Sequence, residues 1–337
     1  LLGKTNLTEF AIPGFSHRFS TPRNPWNLQM YTGGSSSGSG AATAAFMCAT
    51  SLGEDTGGSI RFPATWCGLV GLRPSWGRVS RYGVMRGVWS MDTVGPISRT
   101  TADCAMTLGA IAGYDSKDPL TWNVPVPDYV SALTNDIAGL KVGVVTERVH
   151  TDVVEPEVAN AVVKAITVLG ELGASVEEVS LPLIVDSAAI SSAIIASDVA
   201  ALNRDNISTR LDQFDHNNQV RMLMGSILPA AAYQKATRLR QALRRQILDA
   251  LARVDVLVMP TSSIPAPVIP EQAGISSKQE VIDGFAGRRG FTSPFNLANT
   301  PALSINCGFT SQNLPIGLQI AGKPFDETTV FQVAHAY

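Results

Sequence analysis

Two serine-rich clusters near the start of the chain hold the residues best suited to chemistry. Residues 33–40 read GGSSSGSG and residues 55–63 read DTGGSIRFP. A serine hydroxyl attacks a carbonyl once a base takes its proton and donors hold the oxyanion that forms. In the second cluster Ser59 follows Gly57 and Gly58 directly and precedes an apparent helix start. Glycines there let backbone N–H groups converge on one point, and a helix N-terminus adds partial positive charge. Asp55 and Arg61 flank the turn with opposite charges suited to pinning it. The same residues also describe an ordinary tight turn closed by a structural ion pair.

Taken alone, the first cluster describes a flexible Gly/Ser turn. It is no P-loop, because no Lys-Ser or Lys-Thr pair closes it. Residues 34–38 fit G-x-S-x-G centred on Ser36, the elbow of an α/β-hydrolase, which demands an acid and a histidine downstream. His150, His216 and His335 sit in contexts typical of surface or core histidines, which argues against the elbow.

The segments that must position these clusters change in period along the chain. Residues 41–52 (AATAAFMCATSL) have the small-residue character of a closely packed helix. Residues 60–68 predict a helix with Pro63 in its first turn, and residues 102–112 another with Thr100 and Thr101 as candidate N-caps. Residues 140–145 and 175–179 read as strands around an amphipathic helix at 156–172, with Val158, Val162, Ile166 and Leu169 on one face. A long helix at 232–252 runs into a strand at 254–259, stopped by Pro260. Alternating strands and helices predict an α/β fold. In the run RLRQALRR (238–245), Leu239 and Leu243 continue to Ile247 and Leu251 as an apolar stripe. The arginines therefore read as the solvated face of a helix rather than an RNA surface.

Of the 337 residues 45% are apolar and 16% charged, which indicates a globular chain rich in interior. A net charge of −2 excludes a general polyanion binder. No apolar run is expected to reach the roughly 18 residues of a membrane span. The four cysteines lack CxxC spacing and read as reduced core residues. Nothing resembling a repeat or linker divides the chain, so a single domain over 1–337 is expected.

Together the motifs resemble the amidase signature family. GKTNLTEF (3–10), Asn24-Pro25-Trp26-Asn27, GGSSSGS and residues 53–83 follow that family's order. So do Ser90-Met91-Asp92 with Gly95-Pro96, residues 254–260 and residues 296–322. The resemblance implies an α/β fold with a central mixed β-sheet covered by α-helices on both sides. It implies a Ser-Ser-Lys triad in which Ser59 is the acyl-accepting nucleophile and Ser35 the bridging serine, joined to Gly34 by a cis peptide bond. The backbone N–H groups of Thr56, Gly57, Gly58 and Ser59 would form the oxyanion hole, supported by Gly34, Ser36, Asp55 and Arg61. Ser37 stands where the family has glycine.

The family's triad lysine lies in a VKDN-like segment ahead of GKTN. Lys4 is the only lysine before Ser35 and aligns with the GKTN lysine instead. The chain is therefore expected to be incomplete at its N-terminus and, from the helix-like pattern running into Tyr337, at its C-terminus. The implied activity is hydrolysis of a carboxamide to a carboxylic acid and ammonia or amine through an acyl-enzyme on Ser59. It calls for no metal and no cofactor, a small-molecule amide substrate, no nucleic acid and no membrane, in the cytoplasm; a homodimer stays open. Two alternatives accompany it: the glutamine-hydrolysing component of a tRNA-dependent amidotransferase, and a silent relative without the lysine. Phe62, where amidotransferase-like sequences carry a polar residue, favours the stand-alone amidase. The acyl pocket is expected between residues 184 and 224, with a mostly apolar wall.

Overall fold

An eight-stranded sheet organises the computed structural model, which describes residues 1–12, 20–269 and 289–337. A short antiparallel hairpin, β1 (Arg23–Asn24) and β2 (Asn27–Tyr31), precedes it. The large sheet runs in the order β3 (Thr50–Glu54), β5 (Val94–Ser98), β4 (Val70–Arg73), β9 (Ala302–Phe309), β10 (Pro315–Gly322), β8 (Val256–Pro260), β6 (Lys141–Val145), β7 (Ser175–Val179). β6 pairs in parallel with β7 and β8, and the remaining pairs are antiparallel, so the sheet is mixed. Every residue of β8 and β10 is buried, which is why both read as near-continuous apolar runs without alternation.

Helices pack where the sequence period requires. α1 (Ser37–Ala44) follows the first serine cluster and α2 (Arg61–Trp66) the second. α3 (Thr101–Ile111) is capped by Thr100, whose side chain accepts from the Asp103 N–H. After a single turn, α4 (Thr146–Val149), α5 (Pro156–Glu171) buries Val158, Val162, Ala165 and Leu169, a stripe on one face. α6 (Ser187–Leu202), α7 (Arg204–Arg210) and α8 (His216–Ser226) form a helical layer with α9 (Ala230–Leu251) and α10 (Arg289–Ala298). α11 (Glu327–Ala336) packs against β9, β10 and α3. The core is one cluster joining both halves of the sheet, from Val70 and Leu72 to Val256, Leu318 and Phe331.

Three expectations are corrected. The helix expected over 41–52 ends at Ala44, because Phe46 takes a left-handed φ of 60°. Residues 50–54 then form the edge strand β3. The arginine run on α9 is only partly a solvated face. Arg240 donates to Leu297 O (3.0 Å), Ser90 Oγ (2.8 Å), Ser90 O (2.9 Å) and Asn299 Oδ1 (3.2 Å), clamping α9 to the end of α10. Finally, residues Pro182–Leu202 form a 21-residue stretch of mean hydropathy 1.6, long and apolar enough to cross a membrane. Asp186, Ser187, Ser191, Ser192 and Asp198 interrupt it, and it packs against α8, α9 and α10 as a core helix does. All four cysteines are free, with Cys67 and Cys104 buried.

Candidate active site

The hairpin delivers the first serine cluster. Asn24 is fully buried and donates to Trp66 O (2.7 Å) and Tyr31 O (3.3 Å), while its Oδ1 accepts the Trp26 N–H (3.0 Å). Asn24-Pro25-Trp26-Asn27 is thus a turn that ties β1 and β2 to the end of α2. Tyr31 then donates its hydroxyl to Gly34 O at 2.8 Å. Gly33 (φ 102°) and Gly34 (φ 57°) reverse the chain in conformations that side chains resist. A Cβ on Gly34 would lie 2.8 Å from Ser59 Cα, so glycine also permits the close approach. The GKTN segment lies against the start of α1: Thr8 N–H donates to Ser35 O (3.3 Å) and Gly38 N–H to Asn6 O (3.1 Å).

Ser35 and Ser59, 24 residues apart, meet here, with the Ser35 N–H donating to Ser59 Oγ at 3.0 Å. Both serines are buried. The Gly34–Ser35 peptide is trans, which corrects the cis expectation. Trans is the lower-energy form for a non-proline bond by about 3 kcal/mol, and the two left-handed glycines make the reversal without it. Ser35 Oγ, Ser37 Oγ and Thr8 Oγ1 are buried without a hydrogen-bond partner among the described residues. Ser36 does not face the site as a nucleophile; its Oγ accepts the Glu54 N–H (3.1 Å), stapling the loop to β3. Lys4 is exposed.

The second cluster is organised by Asp55, fully buried. Its carboxylate accepts the N–H groups of Gly58 (2.7 Å) and Ile60 (3.3 Å) and a bidentate pair from Arg61, Nε and Nη2 each at 3.0 Å. Arg61 reaches on to Thr292 O (2.9 Å), Gln319 Oε1 (2.6 Å) and Asn296 Oδ1 (2.5 Å). Asn296 returns a bond to Asp55 Oδ1 at 2.7 Å. Burial alone would raise the Asp55 carboxyl, but the charge and hydrogen bonds of Arg61, with Arg73 and Asn296, hold it well below the usual carboxylate range. Burial pushes Arg73 down to about 9, which leaves it charged at neutral pH.

Of the four N–H groups expected to face an oxyanion, that of Gly58 is committed to Asp55. The N–H groups of Thr56, Gly57 and Ser59 have no acceptor among the described residues. Thr292 holds the loop from the other side, its hydroxyl donating to Gly57 O at 2.6 Å. A Cβ on Gly57 would meet only Ile195 Cδ1 of α6, at 3.7 Å, so α6 faces the turn. On α6, Ser191 is buried with an unpartnered hydroxyl, and Asp198 Oδ2 is likewise unpartnered among the described residues. A cavity of about 360 Å³ lined by Val144, Val163, Val176 and Glu178 lies beneath β6 and β7 and includes none of these residues.

Thr292, Asn296, Gln319, Arg73 and Tyr31 belong to this site but carry no role in the sequence reading. Three had a usable pattern. Thr292 and Asn296 stand one helical turn apart, and Gln319 is a lone amide inside the apolar run PIGLQIAG.

Comparison with known proteins places the chain in a family. The amidase family profile matches residues 1–331. The chain is 41% identical to the A subunit of glutamyl-tRNA(Gln) amidotransferase from Bacillus licheniformis, covering 100% of this chain and 73% of that protein. The crystal structure of the corresponding protein from Thermotoga maritima superposes with a TM-score of 0.85 at 36% identity, over 99% of this chain and 72% of that one. The structure of 6-aminohexanoate cyclic dimer hydrolase gives 0.82 at 27% identity, over 93% and 69%. The chain therefore belongs to the amidase signature family.

Proposed function

We propose that this chain is the glutamine-hydrolysing component of an amidotransferase, with Ser59 as nucleophile. What carries the choice is the 41% identity with the A subunit of glutamyl-tRNA(Gln) amidotransferase along the whole chain. In this reading Ser59 Oγ attacks the side-chain amide carbonyl of glutamine, and its proton passes through Ser35 to a base. The oxyanion is held by the N–H groups of Thr56, Gly57 and Ser59, each well-placed donor contributing roughly 3–4 kcal/mol. The proton returns to the leaving ammonia, and water releases glutamate from the ester. The buried Ser35 Oγ, unpartnered among the described residues, is open to such a base, which supports this reading.

The test is steady-state glutamine hydrolysis by the chain alone and with the partner subunits of a tRNA-dependent complex. Activity confined to the complex, lost in Ser59→Ala and Ser35→Ala, is the expected outcome. Labelling of Ser59 by a fluorophosphonate reads the nucleophile without any partner, and a primary amine such as methylamine should speed labelling if Ser35 lacks a base. A stand-alone amidase is the second reading, favoured by Phe62, which packs on Trp66 (centroids 5.2 Å apart) beside the serine loop. Equal turnover of simple carboxamides with and without partners would select it.

A further inference from the structure

Glu54, the residue before Asp55, has no part in the chemistry above, yet it is wired to the oxyanion-binding turn. Thr56 Oγ1 lies 2.8 Å from Glu54 Oε1 and 2.7 Å from Asp92 Oδ1. One hydroxyl has one proton, so it cannot donate to two carboxylates; one of the two carboxyls must supply a proton of its own. Asp92 Oδ2 already accepts the N–H groups of Gly87 (2.9 Å) and Val88 (2.7 Å), which makes Asp92 the carboxylate of the pair. Glu54 is then the acid, and the chain of donation runs from Glu54 to Thr56 to Asp92.

We infer that Glu54 is a positioning residue of the amide-cleaving site: held as a neutral acid, it donates to Thr56 and so fixes the Thr56 N–H where the oxyanion forms. This rests on the reading of residues 56–59 proposed above. The charges around Glu54 agree with it. Burial raises its carboxyl well above the ordinary value, Asp92 from the loop before β5 and Asp55 raise it further, and the charge of Arg73 on β4 opposes them only in part. Beyond Asp92, Asp198 on α6 adds negative charge and Arg240 on α9 offsets it. As pH rises and Glu54 loses its proton, the Thr56 hydroxyl faces two carboxylates and the turn loosens. Glutamine at position 54 matches glutamate in shape, keeps an N–H that can donate to Thr56, and cannot ionise.

The experiment uses the whole chain with Glu54→Gln, Glu54→Ala and Thr56→Val. In protein labelled with carboxyl-¹³C glutamate, the resonance missing from Glu54→Gln is that of Glu54, and it should titrate above the usual glutamate value of about 4.3. The rate at which a fluorophosphonate labels Ser59 should fall on the alkaline side in the wild type. In Glu54→Ala and Thr56→Val it should be about tenfold slower at neutral pH, a fraction of the loss seen on removing an oxyanion donor. Glu54→Gln should recover most of that rate and lose the alkaline fall. An ordinary carboxyl titration, or one labelling profile shared by wild type and Glu54→Gln, overturns the inference. No labelling of Ser59 in any variant sinks the amide-hydrolase reading instead, and the resonance still decides the state of Glu54. If Glu54→Ala fails to fold, wild type against Glu54→Gln remains decisive.

Discussion

Asp55 makes more bonds than any other carboxylate described at the site, and it makes them to both sides of the loop that carries Ser59. Its removal leaves Arg61 with an uncompensated buried charge, a loss of about 3–5 kcal/mol for a broken buried pair. Asp55→Asn should therefore lower the unfolding free energy measured in urea by that amount, and a change within about 1 kcal/mol would show the pair to be dispensable. The pH dependence has a fixed sign. Asp55 titrates lower in the folded chain than in the unfolded one, so its contribution is complete above about pH 4 and is lost as pH falls toward the folded value. The stability gap between wild type and Asp55→Asn should accordingly narrow in acid. At this scale the sequence was readable wherever function and local spacing coincide: Ser59, Asp55 and Arg61 stand within one turn and its helix. Arg73 gave no sign of its role, and the patterns of Thr292, Asn296 and Gln319 did not name their partners, because all four reach Asp55 and Arg61 only through tertiary closure. The geometry of Ser35 was half readable. Its neighbourhood followed from the motif, whereas its trans peptide depends on the dihedrals of Gly33 and Gly34.

Among the elements, long periodic segments followed their hydrophobic pattern, as α5, α9, β6 and β7 show. The failure at residues 41–52 has a physical cause. Small residues such as Ala41, Ala42 and Ala44 suit a helix, but so short a stretch has no apolar stripe to extend it, and pairing of Thr50–Glu54 with β5 wins. Gly34 is one of the glycines that let the segments before α1 and α2 approach each other closely. Gly34→Ala would place a methyl against Ser59 Cα and demand a left-handed alanine. That variant should destabilise the fold by about 1–3 kcal/mol. It should also slow fluorophosphonate labelling of Ser59 far beyond what the stability loss explains. A correctly folded variant with wild-type labelling would show that the serine separation is not set by Gly34.

At the scale of the molecule, the strands of residues 50–98 and those of residues 302–322 meet edge to edge at β4 and β9, so distant parts of the chain share one sheet and one core. The Arg61–Gln319 bond, spanning 258 positions, is the clearest product of that junction. It sets an order of events during synthesis. At about 5–20 residues per second, Gln319 is made roughly 10–50 s after Arg61. Until residue 296 is made the arginine has neither Asn296 nor Gln319 to hold it. A ribosome-bound chain stalled before residue 289 should therefore leave Ser59 unmodified by a fluorophosphonate, while the released protein reacts. Chain order alone would then keep Ser59 unreactive until β9 and β10 arrive.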